Sequence, residues 1–156
     1  MKTELILVGK TNDKHFQAGI DDYCQRIGHY MPFSITVIPE LKNTKSLSFQ
    51  QQKEREGEMI LAKLQSSDHV VLLDEHGKDS RPVEFARWIE QKNASLRRLV
   101  FVIGGPYGFS EAVYSRANEK ISLSKMTFSH QMVRLVFVEQ IYRACTIIKG
   151  EPYHHE

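Results

Sequence analysis

"RLVFVIGG", residues 98 to 105, decides the architecture. Leu99 through Ile103 are apolar without interruption, and all but Leu99 are β-branched or aromatic, so neither face of this strand has a polar position. A strand of that kind is buried on both sides, as in parallel sheets covered by helices. Gly104 and Gly105 end it.

Outward from this strand, the same alternation repeats. "TELILVG" (3 to 9), "FSITVIP" (33 to 39), "HVVLL" (69 to 73) and "ISLS" (121 to 124) read as four more strands. Between them, Phe16, Ile20, Cys24 and Ile27 recur at helical spacing within 13 to 29. Ser48 followed by Gln51 opens a second helix running to about Gln65, as a capping box. Pro82 starts a third through Trp88, and Ser110 caps a short fourth. A last helix spans about 130 to 149, with Val133, Phe137, Ile141 and Ile148 on its inner side. Residues 40 to 48 read as a surface loop and "DEHGK" (74 to 78) as a turn. The order βαβαβαβαβα predicts an α/β fold: one domain, 1 to 156, with an open, mostly parallel sheet and helices on both faces.

Composition sets limits on function. With 41% hydrophobic and 26% charged residues, the chain is expected to be globular and to bury about two thirds of its unfolded surface. It contains no apolar run near the roughly 20 residues of a membrane span and no signal-peptide pattern, so a cytoplasmic location is expected. Cys24 and Cys145 show no metal or redox spacing and are expected to be small buried hydrophobes. No three potential ligands fall at a spacing that predicts a metal site. The formal net charge is only +2, yet Arg97 to Lys149 holds 8 basic residues against 3 glutamates. Residues 1 to 96 hold 13 basic against 14 acidic, so the positive charge is concentrated where an anionic partner would need it.

In an open parallel sheet, ligands bind beyond the carboxyl ends of the strands. Three such ends are unusual here: "VLLDEHGK", "VIGGPYGFS" and "ISLSKMTFSHQ". Gly104 and Gly105 would let a ligand approach the backbone, and Gly108 permits a turn closed to other residues. Leu123, Met126 and Phe128 alternate with Ser124, Thr127 and Ser129, combining apolar walls with polar donors. A dinucleotide fingerprint and a phosphate loop are both absent. On the final helix, His130 and Arg134 share a face, as do Glu139 and Arg143. The closing "GEPYHHE" follows a helix stop, where chains are usually poorly ordered, and by itself carries no role.

Taken together, "LVGK", "KEREGEMIL", "VVLLDEHGK", "VFVIGGPYGFS", "ISLSKMTFSHQMVRLVFVEQIYRA" and "GEPYHHE" resemble one family from end to end. It is the RlmH family of SPOUT-class methyltransferases, which methylate N3 of a pseudouridine in 23S ribosomal RNA. The resemblance implies a carboxyl-terminal trefoil knot, S-adenosylmethionine as methyl donor, a homodimer, and ribosomal RNA, within the ribosome, as partner. It implies a donor site of Leu73, Gly104, Leu123, Ser124, Lys125, Met126, Thr127 and Phe128. Ser129 stands where relatives commonly have proline. Under this resemblance Tyr153, His154 and Arg134 become the catalytic candidates, with His154 as proton acceptor or orienter and Tyr153 on the target base. His130 and Arg143 become RNA-binding candidates, and Tyr153 and His154 are expected to be ordered near the donor pocket, with the dimer interface as one place for them. Two other classes fit parts of the pattern: a non-catalytic ribosome- or RNA-binding module, and a metabolic enzyme on a nucleotide-binding sheet.

Overall fold

The computed structural model describes residues 1–156. Five parallel strands form one sheet: β1 (Lys2–Val8), β2 (Phe33–Ile38), β3 (His69–Lys78), β4 (Arg98–Ile103) and β5 (Glu119–Ile121), in the order β2-β1-β4-β3-β5. The helices are α1 (Lys14–Ile27), α2 (Phe49–Leu61), α3 (Pro82–Ser95), α4 (Glu111–Arg116) and α5 (Met132–Ile148), with a 3-10 turn at Thr44–Ser46.

The all-apolar pattern of β4 is explained by two cores that share its strand. Leu99, Phe101 and Ile103 join Leu5, Leu7 and Val71 against Ile20 and Ile27 of α1 and Phe137, Val138 and Ile141 of α5. Val100 and Val102 point the other way, with Ile6, Val8, Val70 and Leu72, onto Ile60 of α2 and Val113 of α4. Helix α3 sits beside α5, where Ala86 and Ile89 pack on Ala144. No helix is long and apolar enough to cross a membrane.

Several boundaries differ from the sequence expectation, each for a physical reason. "DEHGK" is not a turn: β3 continues through it to Lys78, which pairs again with Ile121 after a bulge. Gly77 permits this, since a Cβ there would lie 2.5 Å from the Ile121 backbone. Only Ile121 of "ISLS" belongs to a strand. The serines that follow turn the chain instead, the Ser122 hydroxyl donating to the Ser124 carbonyl (3.0 Å) and Met126 N–H to the Ser124 hydroxyl (3.0 Å). Helix α3 runs to Ser95 rather than Trp88, and α5 begins at Met132, whose N–H donates to the Ser129 hydroxyl (3.2 Å). The capping box at Ser48 and Gln51 forms as expected. Cys145 is buried and Cys24 half-buried, and burial pushes both thiols up to about 11, far from reactive thiolates.

Two charge clusters tie the amino-terminal ends of the strands together. Arg98 bridges Glu4 and Asp68, with 2.6 Å to Asp68 Oδ2. Glu119 accepts from Lys92 (3.1 Å) and Trp88 Nε1 (3.0 Å) and pairs with His69 (2.5 Å). Burial pushes the carboxyls of Glu4 and Glu119 up, but hydrogen bonds with Thr36 and Arg98 at Glu4, and with His69, Lys92 and Trp88 at Glu119, outweigh it and hold both below the ordinary glutamate value. A carboxylate depressed in the folded state contributes stability above its unfolded pKa and loses it as pH falls through the folded one. The melting temperature is therefore expected to decline as pH drops below roughly 4.5. Melting curves that stay flat to pH 3, or an identical decline in Glu4→Gln, would remove Glu4 from this account.

Candidate active site

All three unusual strand ends converge. Leu73, Asp74, Glu75 and His76 from β3, Gly104 to Phe109 after β4, and Ser122 to Phe128 after β5 line one cavity of about 670 Å³, with Tyr114, His130 and Val133. Leu73, Gly104, Leu123, Ser124, Lys125, Met126, Thr127 and Phe128 all contribute to that lining. The walls are mixed: apolar Leu73, Ile103, Leu123 and Phe128, with polar groups at the rim.

The glycine turn has a different logic from the one its sequence implied. A Cβ on Gly104 would meet the Phe109 ring at 2.8 Å, and one on Gly105 would meet the Glu56 carboxylate at 2.6 Å. The space beside both glycines is thus filled by the chain's own side chains rather than left for a ligand. Only Gly108, at φ +83°, needs glycine for its backbone conformation. Glu56, from α2, accepts from Gly105 N–H (2.9 Å) and so anchors the turn. Burial pushes its carboxyl up, with the Gly105 bond opposing.

Asp74 adds a fixed negative charge at the rim. It accepts from the Tyr114 hydroxyl and from His76 N–H (2.8 Å). Burial would raise its pKa, but those two bonds prevail and keep it below the usual aspartate value, while burial and Asp74 push Tyr114 up to about 12. Asp74, Glu56 and Tyr114 were missed in the sequence, because an isolated carboxylate or tyrosine has no spacing signal and only the fold brings Tyr114 to Asp74 on β3 and Glu56 to the turn after β4.

Arg134 is corrected by the structure. Its side chain is 0% exposed, and its guanidinium donates to the carbonyls of Val8 (2.7 Å) and Gly9 (2.9 Å) and to Thr11 Oγ1 (2.9 Å). It therefore offers no face to a phosphate or a reacting base, and instead clamps the end of β1 to α5. His130 Nε2 lies 3.1 Å from the same guanidinium, which can only donate, so that nitrogen accepts. Burial and the Arg134 charge hold His130 below the ordinary histidine value, so it lines the cavity as a neutral ring. No group of three or more His, Cys, Asp or Glu residues is arranged to hold a metal.

The tail is held away from this chain's own cavity, on α1 and α5. Arg143 donates to Glu139 Oε1 (2.6 Å) and to His154 Nδ1 (3.0 Å), and lies 4.9 Å over the Tyr153 ring. The Tyr153 hydroxyl donates to Glu139 Oε1 (2.8 Å) and lies 3.5 Å from that of Tyr23. Burial and these two neighbours push the Tyr153 phenol well up, so it stays protonated. Because Arg143 occupies the Nδ1 lone pair, a neutral His154 carries its proton on Nε2, a buried atom with no hydrogen-bond partner, 3.9 Å from Glu156 Oε1. Arg143, Tyr153 and His154 thus form one cluster, but none of them lines the cavity.

A family model described as "Predicted SPOUT methyltransferase" matches residues 1–154. Three curated relatives, each named "Ribosomal RNA large subunit methyltransferase H", align along essentially their whole length. The one from Bacteroides fragilis is 64% identical over 157 residues, covering 100% of both chains. That from Christiangramia forsetii is 58% identical over 99% of each, and that from Flavobacterium johnsoniae 54% identical over 100% of each. With a full-length family match and a cavity built at the carboxyl ends of a parallel sheet, the chain belongs to the SPOUT methyltransferase family.

Proposed function

We propose that this protein methylates N3 of a pseudouridine in 23S ribosomal RNA, with S-adenosylmethionine as donor, acting as a cytoplasmic homodimer on the ribosome. The observation that carries this reading is the convergence of three strand ends on one cavity, in a chain that aligns end to end with relatives named for ribosomal RNA methylation. A cavity of about 670 Å³ lies within the roughly 300–1,000 Å³ of small-molecule sites. Its residues fit the donor: apolar walls suit a flat adenine, and the Asp74 carboxylate suits a cationic ligand. Leu73, Gly104 and Leu123 to Phe128 would hold it.

When bound, the donor supplies an electrophilic methyl group. The chain's own residues then have two tasks, positioning the acceptor and accommodating the charge left when N3 releases its proton to solvent water. Arg143 is suited to the second, as a permanent cation with planar donors. His154, with Nδ1 engaged, orients or donates rather than accepting the N3 proton, and Tyr153 offers its ring to the base. Since this cluster lies apart from its own cavity, a second copy of the chain is needed to bring a tail to each donor site. The basic surplus of the carboxyl half supports RNA as the partner.

The trefoil knot belongs to the same proposal. Support comes from the path of residues 122 to 131, which leave edge strand β5 and reach the β1–α1 loop, where Gln131 Oε1 accepts from Asn12 N–H (2.6 Å). Pulled by its ends, a knotted chain stops short of roughly 3.6 Å per residue, and full extension would exclude the knot.

Calorimetry tests the donor assignment. Purified protein is expected to bind S-adenosylmethionine at one site per chain. An absence of binding would favour a non-catalytic RNA-binding module instead.

A further inference from the structure

Six large hydrophobic side chains are exposed in this chain: Val37, Phe49, Tyr107, Tyr114, Met126 and Met132. Four of them gather at one place. Tyr107, Tyr114 and Met126 line the cavity, Met126 at 80% exposure, and Phe49 stacks on Tyr107 with ring centroids 4.2 Å apart and planes 18° apart. Phe49 does not itself line the cavity and is 62% exposed; Tyr107 is 45% exposed. Singly exposed apolar residues are ordinary, but an aromatic pair left open at the mouth of a site marks a surface that something covers.

The flanking charges indicate what covers it. From Lys42 to Arg55, around Phe49 in sequence, the chain carries Lys42, Lys45, Lys53 and Arg55 against Glu54 alone, and Lys125 in the cavity lining is exposed. Aromatic rings bordered by lysine and arginine are the chemistry of single-stranded nucleic acid binding, in which rings take the bases and cations take the backbone. A methylated base must leave its stack to reach a cavity, which leaves its neighbour without a partner.

We propose that Phe49, supported from beneath by Tyr107, is a platform on which an unpaired base next to the methylated nucleotide stacks. This rests on the ribosomal RNA reading above. The pair then does for the substrate what the cavity does for the donor: it fixes the strand so that the target enters in one register. Phe49 lies at the first position of α2, and the capping box at Ser48 and Gln51 pins the backbone beneath it, so the ring is presented from a rigid element.

The test uses ribosomes from cells lacking this protein and the variants Phe49→Leu and Phe49→Trp. Phe49→Leu keeps apolar volume but removes the ring, and is expected to raise the KM for ribosomes about tenfold, the scale of losing one base–aromatic stack. Its kcat, donor affinity and oligomeric state are expected to match the parent, and Phe49→Trp is expected to restore KM. An unchanged KM in Phe49→Leu would overturn the proposal. So would a loss of donor affinity, which would give the ring to the donor, or a shift in oligomeric state, which would give it to a second copy. Failure of the parent protein to methylate these ribosomes would instead overturn the ribosomal RNA reading, and this inference with it.

Discussion

Arg143→Ala is expected to slow single-turnover methylation of ribosomes by about 100-fold at saturating donor, the scale on which removal of one positioned donor acts on developing negative charge. The guanidinium holds Glu139 and His154 together and lies over the Tyr153 ring, so its loss both removes a cation and releases the two tail side chains. Donor affinity is expected to stay unchanged, because none of these residues lines the cavity. Arg143→Lys recovers little, since a single ammonium cannot span Glu139 and His154 as a planar fork does. A normal rate in Arg143→Ala would remove the cluster from the chemistry. The proposed dimer adds a further expectation. Mixing Arg143→Ala with Gly104→Val, whose added side chain strikes Phe109, should restore part of the activity that each lacks alone. No restoration would place cavity and tail in the service of the same chain.

The second large effect is on stability. Arg134→Ala is expected to destabilise the fold by about 3–5 kcal/mol, with a melting temperature lower by roughly 10 °C. Three contributions act in the same direction: the backbone carbonyls of Val8 and Gly9 lose their donor, Thr11 loses a partner, and a large fully buried side chain leaves a void. Arg134→Met fills the void without restoring the bonds and should fall between the two. A shift under about 1 kcal/mol in Arg134→Ala would mean that the β1 end is held by something else.

These two arginines also mark how far the sequence was legible. Strand β4 and the alternation around it were legible because burial on both faces leaves an unbroken apolar run closed by Gly104 and Gly105. The same five residues, RLVFV, recur at 134 to 138 within the longer periodic segment of α5, so length and flanking residues separate strand from helix. The cavity was legible for a related reason: ligand sites in such sheets follow from where strands end, and all three flagged ends meet. Arg134 and Arg143 were not separable. Both lie on α5, each with a partner four residues earlier, and local spacing cannot distinguish one turned toward the carbonyls of Val8 and Gly9 from one turned toward the tail.

Other failures share that cause. The extension of β3 through "DEHGK" depends on β5 approaching Gly77, a contact between residues far apart in sequence. Glu56 anchors the glycine turn from α2, at a position whose local spacing gives no sign of that contact. The tail packs on Tyr23 and α5 rather than along its own chain's cavity, a surface assembled from distant parts of the sequence. Long-range pairings of this kind are set by the fold and leave no local periodicity to find.

The most direct measurement of the central claim is nucleoside mass spectrometry of 23S ribosomal RNA from cells with and without this protein. The account predicts that the cells without it lack the methyl group on one pseudouridine, and that purified protein with S-adenosylmethionine restores it on their ribosomes. Identical nucleoside profiles in the two strains, or no restoration by active, donor-binding protein, would contradict it.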